Sequence, residues 1–207
     1  MLIADVSNVN GNVNFKALRN AGVRAVWLKA TEGLTFNDRD YVAFRRAANK
    51  AGLRVGAYHF ARPADHGAVA EAAHFARRIG KPGRTDLRPV LDLETPAPNI
   101  TEAALVEWAR KFNRTVEADI GVTPVFYSYP AFIEQLHPEK AIGDGLWLAS
   151  YGRNDGKNYP FKVPAPWKKV VAHQFTSNWH VEGHDGPIDL SYAPKVRAVL
   201  AHPVLGL

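Results

Sequence analysis

The sequence predicts an α/β fold: a single irregular (β/α) barrel of about eight strands, with helices missing after the later strands. Three observations carry this. Eight short apolar runs recur along the chain. Segments of helical spacing separate the early runs, with glycines closing them, whereas stretches rich in Gly, Pro and Asn without helical period separate the later ones. Strand, helix and glycine in repetition is the pattern of a parallel sheet with crossover helices. A count of eight favours closure into a barrel.

Residues 2–6 form the first run and residues 25–30 the second, with Gly22 marking the end of the helix between them. Tyr41, Phe44 and Ala48 share one helical face, Gly52 closes that helix, and residues 54–60 supply the third strand. Gly80 closes another helix before the fourth strand, 89–94. Leu105, Trp108, Ala109, Phe112 and Val116 then follow at i, i+3, i+4, i+7 and i+11. Asn99 with Glu102 three residues on is the start signal of this helix, and Gly121 is its stop. The next strands are 124–129 and 146–150. Residues 152–167 and 176–187 both read as loops. Strands 170–175 and 188–191 therefore lack crossover helices, and the last is a candidate for antiparallel pairing. No linker or composition shift divides residues 1–207, so they are read as one domain.

Hydrophobic content of 46% and charged content of 22% are ordinary for a soluble globular chain. The net charge of +6 suggests attraction to an anionic partner. The cations are spread over helices (Arg45, Arg46, Arg77, Arg78, Arg110, Lys111), without the dense stripe that a nucleic-acid partner requires. There is no cysteine, hence no disulfide framework. No apolar stretch reaches membrane-spanning length, so membrane insertion is not expected. Met1 leads directly into Leu-Ile-Ala-Asp without a signal-peptide pattern, so synthesis in the cytoplasm is expected, and the chain is read as a monomer.

The fourth run, Pro89-Val-Leu-Asp-Leu-Glu94, is chemically the most informative. Side chains alternate along a strand, so Val90, Asp92 and Glu94 face one way and Leu91 and Leu93 the other. Two acids on one face of an apolar strand are costly to bury unless a cap, an ion pair or a reaction uses them. In parallel barrels the chemistry lies at the C-terminal strand ends. Those ends carry Asp5, Ser7 and Asn8; Lys29, Thr31 and Glu32; Tyr58 and Phe60; Asp92 and Glu94; Tyr127 and Tyr129; Trp147 and Tyr151; Gln174 and Thr176; and Asp189. Individually these have ordinary readings, Asp5 as a turn residue, Glu32 as a partner of Lys29, Tyr58 and Trp147 as core aromatics. Together, carboxylates and aromatic platforms around one cavity suit a sugar.

The motifs Asp5-Val-Ser-Asn8 with Gly11 and Phe15, Lys29-Ala-Thr-Glu-Gly33, Gly56-Ala-Tyr-His-Phe60, Asp92-Leu-Glu94, Tyr127-Ser128, Trp147-Leu-Ala149, Gln174-Phe-Thr-Ser177 and Ile188-Asp-Leu-Ser191 occur in this order. In this the chain resembles the glycoside hydrolase family 25 muramidases, the Chalaropsis-type lysozymes common among phage endolysins. The resemblance covers nearly the whole chain. It implies cleavage of the β-1,4 bond between N-acetylmuramic acid and N-acetylglucosamine in peptidoglycan, with net retention, no cofactor and no metal. It places the general acid on Glu94, the second active carboxylate on Asp92 and supporting acids on Asp5 and Asp189, with Lys29, Glu32, Tyr58, Phe60, Tyr127, Trp147, Tyr151 and Gln174 around the substrate. Asn10 and Ser191 depart from the commoner Gln and Asn of that family. No separate wall-binding module is visible.

Glycoside hydrolysis needs a protonated acid and a second carboxylate. Glu94 is expected to hold the proton and Asp92 the charge. Positions two apart on a strand are about 6.6 Å apart, between the spacings of retaining and inverting pairs, so the strand alone leaves stereochemistry open. A chitinase-like glycosidase would show a longer acidic pattern before Glu94, and only Pro-Val-Leu precedes Asp92. A phosphodiesterase would turn histidines inward, where His59 and His173 have the wrong parity. His180-x-x-x-His184 lies in a Gly-containing loop and reads as solvated histidines rather than a metal site. A non-catalytic glycan-binding barrel is the remaining alternative, and it would not need all four acids.

Overall fold

The computed structural model describes residues 1–202. Nine strands occur among them: β1 (Leu2–Val6), β2 (Val23–Glu32), β3 (Phe36–Asn37), β4 (Arg54–Phe60), β5 (Val90–Asp92), β6 (Val125–Ser128), β7 (Leu146–Ala149), β8 (Ala172–Trp179) and β9 (Ile188–Tyr192). The helices are α1 (Phe15–Asn20), α2 (Tyr41–Lys50), α3 (Ala68–Ile79), α4 (Glu102–Ile120), α5 (Pro130–Leu136) and α6 (Val196–Val199). Eight strands close a barrel in the order β1-β2-β4-β5-β6-β7-β8-β9, and β3 hangs on β2 as a hairpin arm. All pairings within the barrel are parallel except those of β9, which runs antiparallel to both β8 and β1. A parallel return needs a crossover of a dozen or more residues, and the short loop after Trp179 permits only a hairpin. No helix follows β7 or β8, as expected.

Alternation sorts the strand residues into two cores. Ile3, Ala25, Trp27, Val90, Val125, Tyr127, Trp147 and Ala172 fill the barrel interior. Val26, Leu28, Leu91, Leu93, Phe126 and Leu148 face outward and pack with Phe44, Phe75, Phe112 and Phe132 of the helical layer. The Trp27 and Trp147 rings stack across the interior with centroids 4.3 Å apart. Gly56 makes this possible, because a Cβ there would lie 2.4 Å from Trp27 Cδ1. His59 faces the helices, with Thr31 Oγ1 and Glu71 Oε2 each 2.7 Å from one of its ring nitrogens. Burial pushes His59 down to about 3 and Glu71 up to about 7.

Several local expectations change. β5 ends at Asp92, so Glu94 lies just beyond the strand, where Thr95 and Pro96 turn the chain. β8 continues to Trp179, through residues expected to be loop, because register irregularities around Thr176 let it stay paired with β9. The cap of α4 is Thr101, whose Oγ1 accepts from Ala104 N at 3.3 Å, rather than Asn99. β3 is too short to leave a periodic signal in the sequence.

Candidate active site

The C-terminal ends of the parallel strands, with the opposite end of β9, meet at one mouth. Asp5 on β1 stands directly across from Asp189 on β9. Like charges opposite each other repel. Each carboxyl therefore raises the cost of ionising the pair, and Asp5 is shifted the further of the two. Burial and then the Asp189 charge raise Asp5 well above the carboxylate range, while burial lifts Asp189 to about 6 and the bond from Asp5 restrains it.

Asp92 and Glu94 lie in the same cluster of acids, close enough that the charge of Glu94 acts on Asp92 and that of Asp189 on Glu94. Both are raised. For Asp92, burial dominates and the Glu94 charge adds, with Lys29 opposing. For Glu94, burial comes first, then Asp189, again opposed by Lys29. Asp92 is pushed further because it is only 6% exposed, and its Oδ1 has no hydrogen-bond partner among the described residues. Depth thus outweighs the order of the two acids along the chain in how far each is raised.

Beneath the acids lies a polar floor. Gln174, 1% exposed, donates through Nε2 to Asp5 Oδ1 and Oδ2, each at 3.0 Å. Its Oε1 accepts the hydroxyls of Tyr127 and Tyr151, both at 2.8 Å. The amide is thus consumed by protein, and Gln174 supports the site from below rather than reaching the cavity. Trp147, 2% exposed, packs under Tyr127 with ring centroids 4.5 Å apart and donates Nε1–H to Ser191 Oγ at 2.9 Å. It too belongs to the floor. Ser191, read from the sequence only as a departure, has this bond as its role. Tyr58 is half-buried beside the acids, and desolvation followed by the charges of Asp5 and Asp92 raises its phenol strongly.

The β2 and β4 side of the mouth is cationic. Lys29 Nζ lies 2.6 Å from Glu32 Oε2, and Arg62 Nε lies 2.7 Å from Glu32 Oε1. Phe60 underlies both cations, with Lys29 at 4.9 Å and Arg62 at 4.6 Å from its ring centroid. Arg62 escaped the sequence reading because it lies two residues beyond its strand and carries no motif.

The family model for glycosyl hydrolases family 25 matches residues 4–184. The chain belongs to glycosyl hydrolases family 25. It is 39% identical to "Lysozyme M1" of Streptomyces globisporus over 89% of this chain and 65% of that protein. It is 30% identical to "Autolytic lysozyme" of Clostridium acetobutylicum over 90% of this chain and 53% of that one. The chain thus spans about half to two thirds of the length of these relatives. Among solved structures, the bacterial lysozyme from Streptomyces coelicolor superposes with a TM-score of 0.85 at 26% identity, covering 94% of this chain and 92% of that one. The muramidase from Trichobolus zukalii gives 0.82 at 27% identity, with 94% of each chain covered. These solved structures share the fold of this chain.

Proposed function

We propose that this family 25 chain is an N-acetylmuramidase that cleaves the β-1,4 bond after N-acetylmuramic acid in peptidoglycan. The observation that carries the reading is the convergence of Asp92 and Glu94, both raised toward the protonated form, on one cavity braced by Asp5 and Asp189. The relatives "Lysozyme M1" of Streptomyces globisporus and "N,O-diacetylmuramidase" of Chalaropsis support it.

Glu94 donates its proton to the glycosidic oxygen as the bond to the sugar C1 breaks. The unpartnered Asp92 Oδ1 is an acceptor waiting for a donor, and a substrate 2-acetamido N–H supplies one. That bond favours ionised Asp92, with its proton released to solvent, and gives it the charged role expected from the sequence. Held this way, the acetamido oxygen attacks C1 and forms a cyclic oxazolinium intermediate. Water, giving its proton to Glu94, then opens the ring at C1, and two inversions leave the configuration retained.

Glu94→Gln keeps the size and removes the proton. Release of reducing ends from purified peptidoglycan is expected to fall by roughly 10²–10⁴-fold, the usual span of general acid catalysis, while circular dichroism stays unchanged. Full activity in this variant would reject the assignment. Cleavage of chitin oligomers in preference to peptidoglycan would mark a chitinase-like enzyme instead.

A further inference from the structure

One part of the mouth takes no part in the proposed chemistry. Phe36 sits on β3 directly opposite Glu32 of β2, so the two side chains share a face of the sheet. Glu32 is turned toward Lys29 at the mouth, and Phe36 is therefore on the mouth side as well. Its ring lies 5.3 Å from Lys29 Nζ, yet it is 41% exposed, an unusual state for a phenylalanine.

The arm that presents the ring is fixed in place. Asp38, fully buried at the end of β3, accepts Asn8 N and Asp40 N through its two carboxylate oxygens, each at 2.9 Å. Its own N–H donates to Ala30 O at 3.0 Å. The arm is thereby tied to the turn after β1 and to the edge of β2, and ring exposure does not come from a loose end.

Beside Phe36, Lys29 and Arg62 share a single carboxylate, Glu32, which leaves one positive charge in excess. The Arg62 side chain is 38% exposed, and its Nη1 has no protein partner among the described residues. An exposed ring beside Lys29, with Arg62 bound to the same Glu32 carboxylate, matches a pyranose that offers a C–H face and a carboxylate on or beside the ring.

We propose that Phe36 and Arg62 form an outer glycan subsite in which Phe36 stacks on a sugar ring and Arg62, with Lys29, takes a carboxylate borne by a muramic acid residue. The inference rests on the muramidase reading and adds a determinant for acidic over neutral glycans. The carboxylate has two sources. In peptide-free strands it is the lactyl group itself. Where a stem peptide is attached, the lactyl group is an amide and the acid belongs to the peptide.

Binding is measured by calorimetry in the Glu94→Gln background, with chitotetraose, peptide-free glycan strands and stem-bearing strands as ligands. Phe36→Ala is expected to weaken all three by about three- to tenfold, the scale of one ring-stacking contact, and Phe36→Trp to restore them. Arg62→Gln is expected to weaken a carboxylate-bearing ligand by a similar factor and leave chitotetraose unchanged. Loss with peptide-free strands identifies the lactyl group, and loss confined to stem-bearing strands identifies the peptide. Unchanged binding in Phe36→Ala, or an Arg62→Gln loss equal for chitotetraose and the acidic strands, overturns the subsite. Thermal unfolding of each variant guards against misfolding. Peptidoglycan hydrolysis by the otherwise unaltered protein is run alongside. Inactivity there rejects the muramidase reading, whereas activity with indifferent Phe36 and Arg62 variants rejects only the subsite.

Discussion

Asp189 shows how one residue governs another across the site. Its negative charge is, after burial, the chief reason that Glu94 is raised. Asp189→Asn removes that charge, so Glu94 loses its proton at lower pH. The alkaline limb of the pH profile of kcat/KM, which reports loss of the acid's proton, is expected to move to lower pH, as measured with a soluble peptidoglycan fragment. An unmoved limb would show that another group controls it. Gln174 illustrates the opposite lesson. A polar residue at an inward strand end suggested a sugar ligand, but its four contacts, to Asp5 and two tyrosines, leave nothing to offer a substrate. Which side of a strand a residue faces is local information. How deep it sits depends on what the other strands bring.

At the scale of elements, the eight barrel strands and the helices α2, α3 and α4 were legible because each carries its own period of apolar residues. Boundaries were less so. Thr101 rather than Asn99 caps α4, and β8 outruns its apolar segment because β9 pairs with it. Sequence gives no hint of the demand on β4 at Gly56. There the Trp27 indole crosses the strand, and a Cβ would meet its Cδ1 at 2.4 Å and Leu87 Cβ at 2.8 Å. Gly56→Ala is expected to lower stability by about 1–3 kcal/mol, the usual cost of overpacking a core, in urea unfolding with an unchanged slope. Since Trp27 stacks on Trp147 under Tyr127, the strain would also reach the floor of the site.

For the whole molecule, closure is what makes the site. Asp5 and Asp189 are distant in sequence, and only the antiparallel return of β9 onto β1 sets them face to face. The net charge of +6 belongs to the same scale, and it is expected to add a non-specific attraction to an anionic wall. Raising ionic strength is expected to weaken co-sedimentation with cell walls, because salt screens exposed charges. Salt-independent binding would remove the charge from the account.

By itself the sequence determined the alternation that sends Asp5, Asp92, Glu94 and Asp189 to one face and one end of their strands, and the run of segments that makes a barrel. These follow from neighbours along the chain, through the periods of strand and helix. Tertiary structure alone decided that Asp92 lies deeper than Glu94, that Trp147 and Gln174 are floor, and that β3 holds Phe36 out beside Lys29. Proton affinity and exposure are set by every group packed around a side chain, and most of those groups are remote in sequence.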